Sequence, residues 1–149
     1  MQFAIEKYSA VIHEAEALIR RHYDEIAWKR DKIPLDVNHA QYLMVESKGG
    51  LRIHTARVDG ELVGYAAWFI VNHMHYKTTK IANNDVLYIA PEHRGGIGGP
   101  FISFCEGDLR AQGVQVGTLH IKTVLNWGRL AENLGYEHTD STWCKWLGD

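Results

Sequence analysis

The segment from Asp85 to Phe101 constrains the fold of this chain more than any other part of its sequence. It predicts a buried strand, then a sharp turn with four closely spaced glycines, and then the first turn of a helix. Glycine lets the backbone turn tightly and expose its N–H groups, and a helix N-terminus carries about half a positive charge. The segment therefore predicts a binding site for an anion such as a phosphate or a pyrophosphate.

Two familiar phosphate loops do not fit these glycines. The dinucleotide fingerprint requires a third glycine three residues after the second, and Phe101 stands there when Gly96 and Gly98 are the first two. A P-loop requires Gly-Lys-Ser/Thr, and no lysine follows the glycines of this segment. A strand-to-helix turn without any ligand is the simpler alternative.

Composition indicates an ordinary globular chain. With 149 residues, of which 46% are hydrophobic and 23% charged, we expect one domain that spans residues 1–149. The net charge of −2 gives no indication of a nucleic-acid or membrane surface. Cys105 and Cys144 have no metal-type or redox-type spacing and are typical of free thiols in a reducing compartment. With no recognisable signal peptide or bilayer-spanning run, we expect a cytoplasmic protein that binds neither nucleic acid nor membrane.

Hydrophobic periodicity and turn residues predict helices and strands in a definite order. Ser9 is expected to cap a first helix that Pro34 ends, and Asp36 to cap a second helix that ends at Gly49-Gly50. Asp59-Gly60 is a type I′ hairpin signal between two strands. Strands are predicted at 3–8, 51–58, 62–71, 81–90 and 116–121, with one or two more at 136–147, and later helices begin near Pro100 and Asn126. This order predicts an α/β domain with a mixed central sheet and helices on both faces.

Three stretches resemble the GNAT superfamily of N-acetyltransferases. His93-Arg94-Gly95-Gly96-Ile97-Gly98 is similar to its acetyl-coenzyme A (acetyl-CoA) loop, Gln/Arg-x-x-Gly-x-Gly/Ala, with His93 in the leading position. Leu87–Glu92 is similar to the family's fourth strand and its exit, and Trp127–Glu137 to its late helix. Family loops usually read Arg-Gly-x-Gly-x-Gly, so this loop is either one residue short or led by histidine, similar to loops of small stand-alone phage-encoded members. The order of elements is also that of the GNAT fold, so the resemblance covers nearly the whole chain.

The resemblance implies that acetyl-CoA is the co-substrate and that its acetyl group passes directly to a primary amine in a ternary complex. It assigns the pyrophosphate to backbone N–H groups of the glycine loop, with charge-assisted bonds from Arg94 and His93. It places the pantetheine arm along the fourth strand, where a backbone N–H stabilises the oxyanion. Asn126 matches a position that contacts pantetheine in the family, although helix capping explains it equally well. The implied cofactor-binding residues are Leu87, Tyr88, Ile89, His93, Arg94, Gly95, Gly96, Ile97, Gly98, Gly99 and Asn126.

The acceptor amine must be neutral to attack a thioester. An unperturbed lysine amine has a pKa near ~10.4, so a general base, typically worth ~10²–10⁴-fold, is useful. The family often carries a glutamate on the fourth strand, and Asp85 is the carboxylate nearest that place, expected on the strand face of Leu87 and Ile89. A solvated or capping carboxylate is the alternative for Asp85. His120, expected on the neighbouring strand, is either a proton relay or a half-buried neutral side chain.

A general acid for the departing thiolate is not evident. Aligning the late helix puts Ala131 where the family commonly has a tyrosine, so solvent, Tyr88 or Tyr136 would have to substitute. This departure favours a second hypothesis, a GNAT-like module that binds acyl-CoA or a protein partner without catalysis.

The acceptor is expected between the first two helices, where the family builds its acceptor pocket. Tyr23, Trp28 and Tyr42 fall there and are candidate contacts for a small-molecule or protein amine. His73-Met74-His75 has the spacing of a metal pair but no third ligand nearby, so we predict no metal site. Monomer and homodimer both remain open, since the superfamily resemblance is compatible with a C-terminal strand shared between subunits.

Overall fold

The computed structural model describes residues 1–148, which form one five-stranded sheet flanked by helices. The strands are β1 (Gln2–Glu6), β2 (Leu51–Val58), β3 (Glu61–Asn72), β4 (Lys80–Ile89) and β5 (Val116–Thr118). The helices are α1 (Tyr8–Ile26), α2 (His39–Ser47), α3 (Gly98–Ala111) and α4 (Gly128–Asn133), with short 3₁₀ turns at Pro91–His93 and Thr123–Leu125. No helix in this part of the chain has the length and apolar character needed to cross a bilayer.

The strands lie in the order β1-β2-β3-β4-β5, with the first four antiparallel and β5 parallel to β4. The predicted mixed sheet with helices on both faces is therefore confirmed. Asp59 and Gly60, between β2 and β3, have φ angles of 50° and 87°, as a type I′ hairpin turn requires.

The two faces of the sheet are covered by different helices. On one face, Phe101, Cys105 and Leu109 of α3 pack on Trp68 of β3. On the other face, the α1 residues Val11, Ala15 and Leu18 pack on β2, β3 and β4. β3 is buried from Leu62 to Trp68 because it is central to the sheet and covered on both sides there.

The predicted caps of the first two helices are wrong. α1 begins at Tyr8 rather than after Ser9, and its first N–H groups, those of Tyr8 and Ser9, donate to the Glu46 carboxylate of α2. α2 is capped by Asn38, whose side chain accepts a hydrogen bond from the Gln41 N–H at 3.1 Å, and not by Asp36. The α1 cap comes from a residue distant in the chain, so local sequence signals do not indicate it.

The terminal strands predicted at 136–147 are also absent from the described residues. The alternating side chains there are largely exposed, including Trp143 at 93% and Leu147 at 84%. An alternating pattern forms a strand only when a neighbouring strand edge pairs with it. No strand of residues 1–148 pairs with this segment, so it stays irregular.

Candidate active site

The glycine loop between β4 and α3 has the backbone geometry of an anion site. Gly96 has a φ of 82°, in the region that glycine adopts freely, and α3 begins two residues later at Gly98. A Cβ added at Gly95 or Gly96 would meet no atom within 4 Å, so the loop is open on the outside at these positions.

Four N–H groups of this loop are available to a ligand. Within residues 1–148, the N–H groups of Gly95, Gly96, Gly98 and Gly99 donate no hydrogen bond. Neighbouring N–H groups are used internally, as in the bond from Ile97 to the Arg94 carbonyl at 3.4 Å. Free donors at the start of a 14-residue helix are what an anion binds.

The second pair of glycines has a packing role as well. A Cβ on Gly98 would lie 2.9 Å from Leu130 Cδ2, and one on Gly99 would lie 3.7 Å from Leu130 Cδ1. Leu130 belongs to α4, so Gly98 lets this late helix pack closely against the start of α3.

The side chain of Arg94 does not extend over the loop. Its Nη1 and Nη2 donate to both carboxylate oxygens of Glu25 at 2.6 and 2.7 Å, and its Nε donates to the Ile89 carbonyl at 2.8 Å. The pKa of Arg94 is raised, chiefly by the hydrogen bond with Glu25. The expected use of this guanidinium for a phosphate is thus replaced by a bidentate link from the loop to α1. His93 is half-buried at the loop's start.

β4 and β5 diverge beside this loop. They pair only from Ile81 to Asn83, opposite Val116 to Thr118. From Asn84 onward, no strand of the described chain pairs with that edge of β4, which leaves an open gap between the two strands.

Backbone groups of β4 point into this gap. Ala90 N–H donates to the Val63 carbonyl at 2.8 Å across the β3 side. Because hydrogen-bonded pairs alternate along an antiparallel ladder, Tyr88 also directs its backbone groups to β3. Leu87 and Ile89 therefore direct theirs to the open edge. The Ile89 carbonyl already accepts from Arg94 Nε there, so the Ile89 N–H and the backbone groups of Leu87 are the ones with which an extended ligand can pair.

A β-bulge in β4 sets the direction of Asp85. Ala67 lies opposite Val86 while the next residue, Trp68, lies opposite Asn84, so Asp85 is the extra residue of the bulge. The Asp85 carboxylate accepts a hydrogen bond from the Tyr42 hydroxyl on the α1–α2 side. The predicted face was wrong, because Leu87 and Ile89 pack on the α3 side, and the extra residue turns Asp85 to the opposite face.

Asn84 stabilises the bulge from inside. Its side chain is 1% exposed, and its Nδ2 donates to the carbonyls of Ala67 at 3.2 Å and Val86 at 2.8 Å. Ala67 and Val86 are the paired residues next to the interruption of the ladder, so the amide supplies hydrogen bonds at the place where regular pairing fails. Sequence reasoning missed this residue, and only its position beside Asp85 could have indicated it.

Tyr42 is held firmly against its carboxylate partner. Its ring stacks between those of Tyr8 and Phe69, with centroid distances of 4.8 and 5.8 Å. Burial, followed by the hydrogen bond to Asp85, raises the pKa of Tyr42, so the hydroxyl stays protonated and donates to the carboxylate.

A cavity of about 520 Å³ lies beside the Tyr42–Asp85 pair, between α1, the segment 27–38 and the sheet. Its volume is typical of small-molecule sites. Tyr23 and Tyr42 line it as expected, and the Tyr23 hydroxyl donates to the Ile33 carbonyl at 2.6 Å, which ties the 27–38 segment to α1. Trp28 does not line it; its ring is 45% exposed and lies 5.2 Å from Lys29 Nζ.

A buried histidine and its tyrosine partner, His22 and Tyr65, also line the cavity. His22 Nδ1 and the Tyr65 hydroxyl are hydrogen-bonded at 2.7 Å, and the His22 ring stacks on Tyr88 at 4.4 Å. Burial lowers the pKa of His22 to about 4, so the imidazole is neutral at pH 7. The signal for this residue was present, since His22 follows Val11, Ala15 and Leu18 on the inner stripe of α1.

Several solved structures with the same architecture are acetyltransferases. A ribosomal-protein-alanine N-acetyltransferase from Brucella melitensis biovar Abortus 2308 has a TM-score of 0.72 and 19% identity, covering 99% of this chain and 100% of that one. A predicted acetyltransferase with acetyl-CoA from Clostridium acetobutylicum has a TM-score of 0.71 and 14% identity, covering 97% and 94%. An aminoglycoside acetyltransferase from a soil metagenomic sample, in complex with sisomicin, has a TM-score of 0.75 and 11% identity, covering 99% and 96%.

This chain has the GNAT fold. The identities of these neighbours establish the fold alone, over practically the full length of each chain. No protein-family model matches the sequence, and no curated protein matches it either.

Four further residues that the sequence singled out differ in their burial and contacts. His120 is exposed and lies beyond the end of β5 at Thr118, so its expected place on a strand is wrong. Asn126 lies one residue before Trp127, the N-cap of α4, and its Oδ1 accepts a hydrogen bond from the Gly128 N–H at 2.9 Å. Tyr88 is 2% exposed and faces α1, and burial, followed by a hydrogen bond with Glu25, raises its pKa. Tyr136 is half-buried, and burial raises its pKa.

Proposed function

We propose that this protein is an N-acetyltransferase that uses acetyl-CoA and acetylates a primary amine directly within a ternary complex. The observation that carries the proposal is the set of four free N–H groups at Gly95, Gly96, Gly98 and Gly99, next to an unpaired edge of β4. The Clostridium neighbour, whose structure is with acetyl-CoA, supports the choice of donor. When bound, acetyl-CoA supplies an activated thioester and a pyrophosphate by which it is held.

The glycine loop would bind the pyrophosphate through backbone groups. The four N–H donors and the positive end of α3 provide the attraction. Arg94 contributes by fixing the loop to α1 through Glu25 rather than by touching the phosphates. Ile97 and His93 border the N–H groups and shape the site.

The open edge of β4 would bind the pantetheine arm and the reacting carbonyl. Leu87 presents its N–H and carbonyl there and Ile89 presents its N–H, and one N–H aimed at the oxyanion is typically worth roughly 3 kcal/mol. Asn126 lies near the start of α4, with its Oδ1 occupied by Gly128 and its Nδ2 left for a ligand.

Asp85 is our proposed general base. The bulge turns its carboxylate toward the cavity side of the sheet, and Tyr42, which lines the cavity, holds one of its oxygens. The carboxylate would take a proton from the incoming ammonium, so that the neutral amine forms the new C–N bond. Tyr42 is a positioning residue in this scheme.

The thiolate would be protonated by solvent. Ala131 is buried and carries no proton donor, Tyr88 packs on His22, and Tyr136 faces the α3 side near Gly117. Alanine at position 131, in place of the family's tyrosine, is also the observation that favours the second hypothesis, a GNAT-like module that binds acyl-CoA without catalysis.

The test is to incubate the protein with acetyl-CoA and a panel of amines while free thiol is measured, and to titrate acetyl-CoA by calorimetry. We expect binding and amine-dependent thiol release. Binding without thiol release would support the second hypothesis, whereas no binding would overturn both. Two thiols without a disulfide, Cys105 and Cys144, support a cytoplasmic location for such an activity.

A further inference from the structure

We propose that the acceptor is a primary amine on an apolar body with no second positive charge, the chemistry of arylalkylamines and alkylamines. This inference rests on the proposed function, because it takes the 520 Å³ cavity as the acceptor site. It selects one class from the small-molecule and protein amines that the fold admits.

The first argument is the chemistry of the cavity wall. Twelve of its twenty lining residues are aliphatic, and four more are tyrosines. Val11, Ala15 and Ile19 of α1 form one side, and Ile53, Leu62 and Ala67 of the sheet form the other. A hydrocarbon or aromatic body gains from leaving water in such a space, whereas a polyhydroxylated body loses hydrogen bonds.

The second argument is the charge on that wall. Among its lining residues, Asp36 carries a negative charge and Lys122 a positive one, and His22 is neutral at pH 7 because burial lowers its pKa. Asp36 is the one carboxylate among these lining residues, so a substrate with several ammonium groups would leave at least one of them without a carboxylate partner. Burial of unpaired charge is strongly unfavourable, so the wall excludes polycations.

The third argument is where the single amine fits. Asp85 does not itself line the cavity, but its carboxylate accepts from the Tyr42 hydroxyl, and Tyr42 and the neighbouring Val86 of β4 both line it. One ammonium can therefore pair with this carboxylate while its body fills the aliphatic space along α1.

The experiment compares four amines at equal concentration: 2-phenylethylamine, spermidine, an aminoglycoside and a short peptide with a free N-terminus. Thiol release gives kcat/KM, and calorimetric titration of each amine into the protein with coenzyme A gives its affinity. We expect 2-phenylethylamine to exceed each of the others at least tenfold in kcat/KM, or in affinity if no amine turns over. Equal values, no amine binding, or a preference for the polycations or the peptide would overturn the inference. Failure of the proposed function is seen separately, as absence of acetyl-CoA binding.

Substitutions in the cavity wall that alter the preference between the two amines show where the body of the substrate binds. Ile19→Asp adds a carboxylate to the wall, and Ile19→Asn is the matched control without the charge. The ratio of spermidine to 2-phenylethylamine in kcat/KM, or in affinity, should rise at least tenfold in Ile19→Asp relative to Ile19→Asn. Val37→Asp and Val37→Asn repeat the test from the 27–38 segment, in case the helix variant fails to fold. An unchanged ratio in the folded pair would show that the body binds elsewhere.

Discussion

The donor side and the acceptor side of this site are built in different ways. The donor side consists of backbone: four free N–H groups in the glycine loop and the open edge of β4. The acceptor side consists of side chains from α1, α2, the 27–38 segment and the sheet, brought together by tertiary packing. A backbone site follows from a local run of glycines, whereas a side-chain site depends on the exact placement of distant elements. Substitutions should therefore affect the two sides separately.

Asp85→Asn should have the largest effect, a loss of turnover with acetyl-CoA affinity kept. We expect kcat to fall by about 10²–10⁴-fold, the usual contribution of a general base, with little change in the Kd of acetyl-CoA. Asparagine keeps the shape and can still bond with the Tyr42 hydroxyl, so stability should change little. Steady-state thiol release and calorimetry give the two numbers. An unchanged kcat would remove Asp85 from the mechanism and point to water or His120.

Gly96→Val should do the opposite, weakening the donor side and sparing the acceptor side. A β-branched residue is strained at a φ of 82°, so the N–H groups should lose their alignment and acetyl-CoA affinity should fall about 100-fold, or ~2.7 kcal/mol. Gly60→Val is the matched control, since Gly60 has a φ of 87° and equally open space, but lies in the β2–β3 hairpin. Equal affinities in the two variants would contradict the phosphate assignment.

Sequence reasoning succeeded where structure depends on near neighbours. The strand at 51–58 and the Asp59-Gly60 turn were predicted correctly, because periodicity and turn chemistry are local. The glycine loop belongs to the same class, although its function stays a proposal.

Sequence reasoning failed where a residue distant in the chain decides how a helix is capped or where a side chain points. Glu46 caps α1 from α2, and Glu25 takes the Arg94 side chain from 69 positions away. One extra residue in β4 turns Asp85 to the other face of the sheet, and no local sequence pattern indicates such a bulge. The acceptor side depends on contacts of this kind, which explains why it was the less predictable half.

Asn84→Ala tests whether the bulge is what aims Asp85. Removing the amide leaves the carbonyls of Ala67 and Val86 without its hydrogen bonds, so we expect kcat to fall about tenfold while acetyl-CoA affinity is kept. Stability should also fall, by about 1–3 kcal/mol. A purely structural role would lower stability without changing kcat of the folded fraction, so both are measured at a temperature where the variant is folded.

The smallest effect concerns His22, the neutral histidine of the acceptor side. Its pKa is about 4 in the folded state and 6.5 without perturbation, so the unfolded chain binds more protons between these values. Stability therefore falls as pH falls, by about 1 kcal/mol from pH 7 to pH 5.5 for this residue. Burial also lowers the pKa of His54, which contributes in the same direction. His22→Gln should remove only the His22 part, so its loss of stability between the two pH values, measured by urea unfolding, should be about 1 kcal/mol smaller than that of the parent. An identical loss of stability in the variant and the parent would mean that His22 is not desolvated. Water would then reach the acceptor side more freely than the packing of α1 on the sheet implies.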